Sequence, residues 1–160
     1  MIAEVLSREN IGQVWDLGGN VSGLMKIEGS LRLQLEKRGL TYGAVDLVPA
    51  YFDPDFARSL GQLEANLYSQ VLGVVGDLRY LPLASESVES VVCADVIEHI
   101  NQPELAVAEM YRILKPGGKA VLVVPSLYKL DAIKLPHVLN KRFSSHENRL
   151  TIDEWISLLM

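Results

Sequence analysis

A doubly wound α/β fold is predicted by two observations. Short apolar runs alternate with longer amphipathic stretches along the chain, the pattern of successive β-α-β units around a mostly parallel sheet. Some of those runs, VLGVV and AVLVV among them, carry no polar residue, as expected when helices cover both faces of a sheet.

The elements follow in order. Gln13–Leu17 reads as the first strand and runs into Gly18-Gly19. Ser30–Arg38 sets Leu31, Leu33 and Leu35 among charges and stops at Gly39, a favoured C-terminal cap, so it reads as a helix. Thr41–Asp46 is the second strand. The stretch FDPDF offers Asp53 as N-cap and Pro54 at the first helical position, opening a helix that Gly61 weakens. Val71–Gly76 and Ser90–Ala94 read as the third and fourth strands. Pro103–Leu114 is the strongest helix. Pro103 starts it, Glu104 and Glu109 suit its N-terminal half, and Arg112 and Lys115 suit its C-terminal dipole. Pro116-Gly117-Gly118 ends it, and Lys119–Val124 is the fifth strand. Thr151-Ile152-Asp153-Glu154 has the spacing of a capping box and predicts a last helix from Thr151.

A chain of 160 residues suits one domain, with a core at 13–125 and a basic segment at 126–160. No apolar run approaches the roughly 20 residues of a membrane span, and the N-terminus does not read as a secretory signal. The net charge of −5 argues against broad nucleic-acid binding. Lys129, Lys134, Lys141, Arg142 and Arg149 face only Asp131 and Glu147 nearby. That surplus reads as a solvated loop face or as a surface suited to an anionic small-molecule substrate. The single cysteine, Cys93, fits a reducing cytoplasm and, within SVVCADV, reads as a buried small hydrophobe rather than a nucleophile. One cysteine and three scattered histidines show no metal-ligand spacing.

In an open parallel sheet, ligands bind beyond the carboxyl ends of the strands, where strand order reverses. Four successive strands each bring an acid to that rim: Asp16, Asp46, Asp77 and Asp95. Asp favours turns, yet four acids at corresponding positions point to one crevice.

The blocks VWDLGGNVSG, GAVDLVP, GDLRYLPLASESVESVVCADVIEHI and RILKPGGKAVLVVP span about residues 14–125. Together they resemble the class I S-adenosylmethionine-dependent methyltransferases, particularly the small-molecule group that includes quinone-ring methylating enzymes. The resemblance implies a Rossmann-like sheet of about five strands and S-adenosyl-L-methionine as cofactor. It implies backbone approach to the methionine end at Gly18, Gly19 and Asn20, and an acid, Asp16, near the cofactor's ammonium. Asp46 would take the ribose hydroxyls, with Leu47 and Leu78 on the adenine faces. Asp77 would take the adenine amino group, and Ala94 and Asp95 would lie by the reacting end. His99, beside Asp95 the candidate catalytic residue, reads either as an acceptor-side base or as a packing residue.

Two departures stand out. Asn20 and Ser22 replace glycines of the family's first turn, although asparagine tolerates positive φ. The family's last two strands, a hairpin beside strand five, are missing. Strand 119–125 is therefore expected to form an exposed edge, with three resolutions open: the chain is an excised or truncated piece, a second copy or partner covers the edge, or the segment 136–160 folds across it. Two other functions compete. One is a methyltransferase-like interaction module without turnover. The other is a nicotinamide-dependent dehydrogenase, which leaves Asp77-Leu78 and VIEHI unexplained.

Overall fold

The computed structural model describes residues 6, 11–19, 30–49, 53, 55, 72–124, 153, 154 and 157. Its strands are β1 (Gln13–Leu17), β2 (Thr41–Asp46), β3 (Leu72–Val75), β4 (Val88–Ala94) and β5 (Leu114–Val123). Helix α1 (Leu31–Glu36) lies between β1 and β2, and α2 (Pro103–Ile113) between β4 and β5. The strands form one sheet in the order β3-β2-β1-β4-β5, with every neighbouring pair parallel. The chain thus runs outward from β1 to β3, returns to β4 beside β1, and continues outward. Strand order reverses between β1 and β4.

Alternation along the strands builds a core on each face. On one face Val14, Tyr42, Ala44 and Val92 pack with Leu35 of α1, and Leu6 joins them. On the other, Trp15, Leu17, Val45, Val91 and Cys93 pack with Ala106, Met110 and Ile113 of α2. The spacing of those three helical residues puts them on one stripe. Each large apolar side chain so buried contributes about 1.5–3 kcal/mol. Trp15 lies opposite Gly43 in the ladder, where an added Cβ would meet the indole at 2.8 Å. A glycine in mid-strand therefore makes room for the largest ring of the core.

Several predicted boundaries shift, each for a local reason. Helix α1 ends before Arg38 because Arg38 and Gly39 donate to Leu35 and Glu36, three residues back, which tightens the last turn out of α-geometry. Ser30 is its N-cap and accepts the Leu33 amide at 3.2 Å. Strand β5 begins at Leu114 rather than Lys119. Val88 faces Leu114 and Ser90 faces Lys119, so two steps along β4 match five along β5. The Pro116-Gly117-Gly118 expected to end α2 is instead this irregularity, within the strand and beyond the helix end at Ile113. Pairing with Leu114 also carries β4 back to Val88. Among the described residues β3 pairs only with β2, and it ends at Val75 rather than at Gly76, with Leu72 and Val75 exposed.

Asp53 accepts the Asp55 amide at 2.8 Å, the bond of an N-cap. Pro54, Gly61 and the body of that predicted helix lie outside the described residues. So do Thr151 and the basic residues of 129–149, although Asp153, Glu154 and Ser157 are helical. Among the described residues β5 is the outer strand beyond β4. Also among them, no helix is long and apolar enough to cross a membrane.

Candidate functional site

A cleft of about 410 Å³ opens at the carboxyl ends of β1, β2, β3 and β4, within the range of small-molecule sites. It sits where strand order reverses, as the topology requires. Gly18 enters from the end of β1, Asp46, Leu47 and Val48 from β2, and Asp77 and Leu78 from the turn after β3. Ala94, Asp95 and Val96 enter from β4, and His99 and Ile100 from the 3-10 turn Ile97–His99.

Gly18 joins two of these walls. Its amide donates to Val45 O at 2.7 Å, which ties the end of β1 to β2. With φ at +78°, it adopts a conformation that side chains resist. An added Cβ would lie 2.6 Å from Val96 Cγ1 and Cγ2. Only glycine lets the β1 turn approach the β4 wall this closely.

Asp46 is buried, yet lines the cleft. Its Oδ1 accepts the Val48 amide at 2.8 Å, which fixes the carboxylate against the turn. A carboxylate offers about four acceptor positions, so capacity toward the cleft remains. Burial raises its pKa, against the Val48 and Leu47 amides. Leu47, beside it, is 65% exposed. A bulky apolar side chain exposed on a cleft wall suits a flat apolar ligand face.

Asp77 is held differently. Its Oδ1 accepts the Arg79 amide at 2.9 Å, and Arg79 Nε and Nη2 reach Oδ1 and Oδ2 at 3.0 and 2.6 Å. That guanidinium bond holds the carboxyl below its ordinary pKa. Leu78 is buried under the cleft.

Asp95 has φ of 54°, a left-handed conformation that Asp adopts more readily than most residues. Its amide donates to Val123 O at 2.9 Å, so β5 holds the turn that carries it. His99 is 43% exposed and places Nε2 4.0 Å from Oε1 of the buried Glu98. Cys93 is fully buried, and burial pushes its thiol up to about 12. It belongs to the core, as its apolar run predicts.

Asp16 stands apart. The four acids do not form one ring. Asp46, Asp77 and Asp95 line the cleft, whereas Asp16 and Gly19 are not among its lining residues. Asp16 projects to the α1 face, as its register with Val14 dictates. There it accepts the Tyr42 hydroxyl at 2.6 Å. It lies directly under the glycine turn, since a Cβ on Gly19 would be 3.1 Å from Asp16 Oδ2. Burial pushes its carboxyl up to about 6, against the Tyr42 bond and with a further push from Asp46. Asn20 lies outside the described residues.

Sequence reasoning missed Val48, Val96 and Ile100 as lining residues, and missed Tyr42 and Arg79 as the partners of two acids. Arg79 was open to inference, two residues after Asp77. Tyr42 carries a hydroxyl into the buried strand TYGAVD, a signal that some polar partner must meet it. Among the described residues, no group of three His, Cys, Asp or Glu side chains could hold a metal ion.

The family model described as a methyltransferase domain matches residues 27–122. An uncharacterized methyltransferase of Mycobacterium bovis is 32% identical over 111 residues, which are 69% of this chain and 39% of that protein. The ubiquinone/menaquinone biosynthesis C-methyltransferase of Rickettsia typhi is 25% identical over 129 residues, 79% of this chain and 52% of that protein. A Bacillus halodurans crystal structure assigned to the methyltransferases superposes with a TM-score of 0.72 at 25% identity, covering 99% of this chain and 65% of that one. The chain therefore spans about two-fifths to one-half of those two curated relatives.

Proposed function

This chain belongs to the methyltransferase domain family, and on that premise we propose that its cleft binds S-adenosyl-L-methionine and serves methyl transfer to a small-molecule acceptor. The observation that carries the reading is the Asp46-Leu47 pair: a fixed carboxylate beside an exposed apolar side chain at the end of β2. A nucleoside demands that pairing, because its ribose diol presents two donors next to a flat base. The fit extends along the cleft. Sheet order sets Asp77 and Leu78, beyond β3, to one side of Asp46, and Gly18, Ala94 and Asp95, at β1 and β4, to the other; the base would lie toward the first pair and the reacting end toward the second group. Three carboxylates in one cleft also suit a cofactor that carries positive charge. Gly19 and Asn20 would continue the turn around its amino-acid end. Asp16 would act from beneath that turn on the ammonium, through the electrostatics of a buried carboxylate rather than as a lining group.

When bound, the cofactor supplies a methyl group on a sulfonium centre, so the protein's work is binding, orientation and exclusion of water. His99, on the cleft wall and 43% exposed, would be the acceptor-side base. Asp95, held in its left-handed turn, would orient it or the acceptor. The basic residues of 129–149 would favour an anionic acceptor, and the whole chain, 1–160, would act as one domain. A partner or second copy over the outer strand β5, and a reducing cytoplasm as its compartment, belong to the same proposal.

One observation favours the second reading, an interaction module without turnover: Arg79 already engages both oxygens of Asp77. Calorimetry separates the two. The enzyme reading expects S-adenosylmethionine to bind, and Asp46→Ala to weaken it about a hundredfold through loss of two charge-assisted hydrogen bonds. No binding at millimolar cofactor would favour the module, and equal affinity in Asp46→Ala would remove Asp46 from the site.

A further inference from the structure

Resting on the cofactor reading above, we propose that Glu109 and Arg112 are positioning residues. They latch the loop between β3 and β4 onto α2, and so hold Asp77-Leu78 in the geometry that selects the base of the bound nucleoside. Neither residue lines the cleft.

The latch is made of hydrogen bonds from one guanidinium. Arg112 Nε donates to Glu109 Oε1 at 2.7 Å, and Nη2 donates to Glu109 Oε2 at 2.7 Å and to Leu81 O at 2.9 Å. Nη1 donates to Leu83 O at 2.9 Å and to Ser85 Oγ at 3.2 Å. Arginine has five N–H donors, and these are five acceptors. Glu109 Oε2 in turn accepts the Leu81 amide at 2.7 Å. Leu81 is therefore held at both its amide and its carbonyl by a single ion pair. Farther along, the Glu86 and Ser87 amides donate to the Arg112 and Ile113 carbonyls, each at 2.9 Å.

The restraint reaches the cleft through a short path. Leu81 directly follows the turn Leu78–Tyr80, which closes when the Tyr80 amide donates to Asp77 O at 2.9 Å. Leu78 and Leu81 belong to the same buried core as Ala106, Met110 and Ile113 of α2. The Arg112 and Glu109 side chains are 35% and 19% exposed. Truncating them leaves that core filled and removes only the latch. A lysine cannot substitute, because a point charge cannot reach two carbonyls and a carboxylate in the fork geometry.

The test compares wild type, Arg112→Ala and Arg112→Lys in two measurements. Hydrogen exchange on the ligand-free protein should show the Leu81 amide exchanging at least tenfold faster in Arg112→Ala, with the amides of α2 and β4 unchanged. Calorimetry with S-adenosylhomocysteine and S-inosylhomocysteine should show the preference for adenine falling about tenfold. Arg112→Lys should restore neither. An unchanged Leu81 amide overturns the latch. A faster amide with an unchanged base preference overturns the positioning role, as does full rescue by lysine. If wild type binds neither nucleoside, the cofactor reading falls and base selection falls with it, whereas the exchange at Leu81 still decides the latch. Should Arg112→Ala fail to fold, Glu109→Gln keeps the volume and one acceptor and carries the same comparison.

Discussion

Asp16→Asn is expected to stabilise this protein at neutral pH. Burial raises the Asp16 carboxyl from 3.8 to about 6 in the folded state. The folded chain therefore binds this proton more tightly than the unfolded chain does. Below about pH 4 both states are protonated and the group costs nothing. As pH rises through 6 the folded protein must carry a buried charge. At about 1.4 kcal/mol per pKa unit, the charged form costs about 3 kcal/mol of stability at pH 7.5. Asparagine keeps an oxygen for the Tyr42 hydroxyl and carries no charge. Urea unfolding followed by tryptophan fluorescence, repeated from pH 4 to pH 8, measures the difference between the two proteins. Other carboxylates titrate in both and cancel. The gap should be near zero at pH 4 and widen to about 3 kcal/mol above pH 6.5. Tyr42→Phe should move the transition upward, because the Tyr42 bond lowers this pKa. An Asp16→Asn protein no more stable than wild type at pH 7.5, or a gap independent of pH, would refute the reasoning. On the proposed cofactor reading the same variant should bind S-adenosylmethionine more weakly, because it removes the buried charge beneath the glycine turn that would face the cofactor's ammonium.

Two further outcomes test the site and the core, besides those for Asp46 and Arg112. Gly18→Ala should lose about 1–2 kcal/mol from its positive φ alone, with an added loss from the contact to Val96. Val96→Ala should recover the second part and not the first, as read by denaturant midpoints. Cys93 should resist iodoacetamide at pH 8 in the native protein and react within minutes in urea, because burial pushes its thiol up to about 12. Rapid native labelling counted by mass spectrometry would contradict its place in the core.

Much of the architecture was legible because it depends on local chemistry. The strands Gln13–Leu17 and Thr41–Asp46 were read to the residue, the first because Gly12 and Gly18 bound it, the second because Gly39 lies two residues before it and Pro49 three residues after it. α2 was read to within one residue, since its Pro103 start and charge gradient are local. The parallel pattern follows from alternation of strand and helix, whereas the order β3-β2-β1-β4-β5, and with it the place of the reversal, is seen only in the sheet. The start of β5 was not legible, because Pro116-Gly117-Gly118 reads as a stop. Only the neighbouring β4 shows that the chain pairs on both sides of the irregularity.

The acids divide along the same line. That each of β1 to β4 delivers an aspartate at or just beyond its carboxyl end is written in the chain; that Asp46, Asp77 and Asp95 share the cleft while Asp16 lies outside its lining is not. Nor is which oxygen each presents. Tyr42, on another strand, holds Asp16 beneath the turn. Arg79 engages Asp77. Arg112, from a distant helix, fixes the loop that carries Asp77. Residue type and spacing determine which groups reach a rim. Their partners come from elements far apart in sequence, so burial, protonation and orientation are decided only when packing brings those elements together.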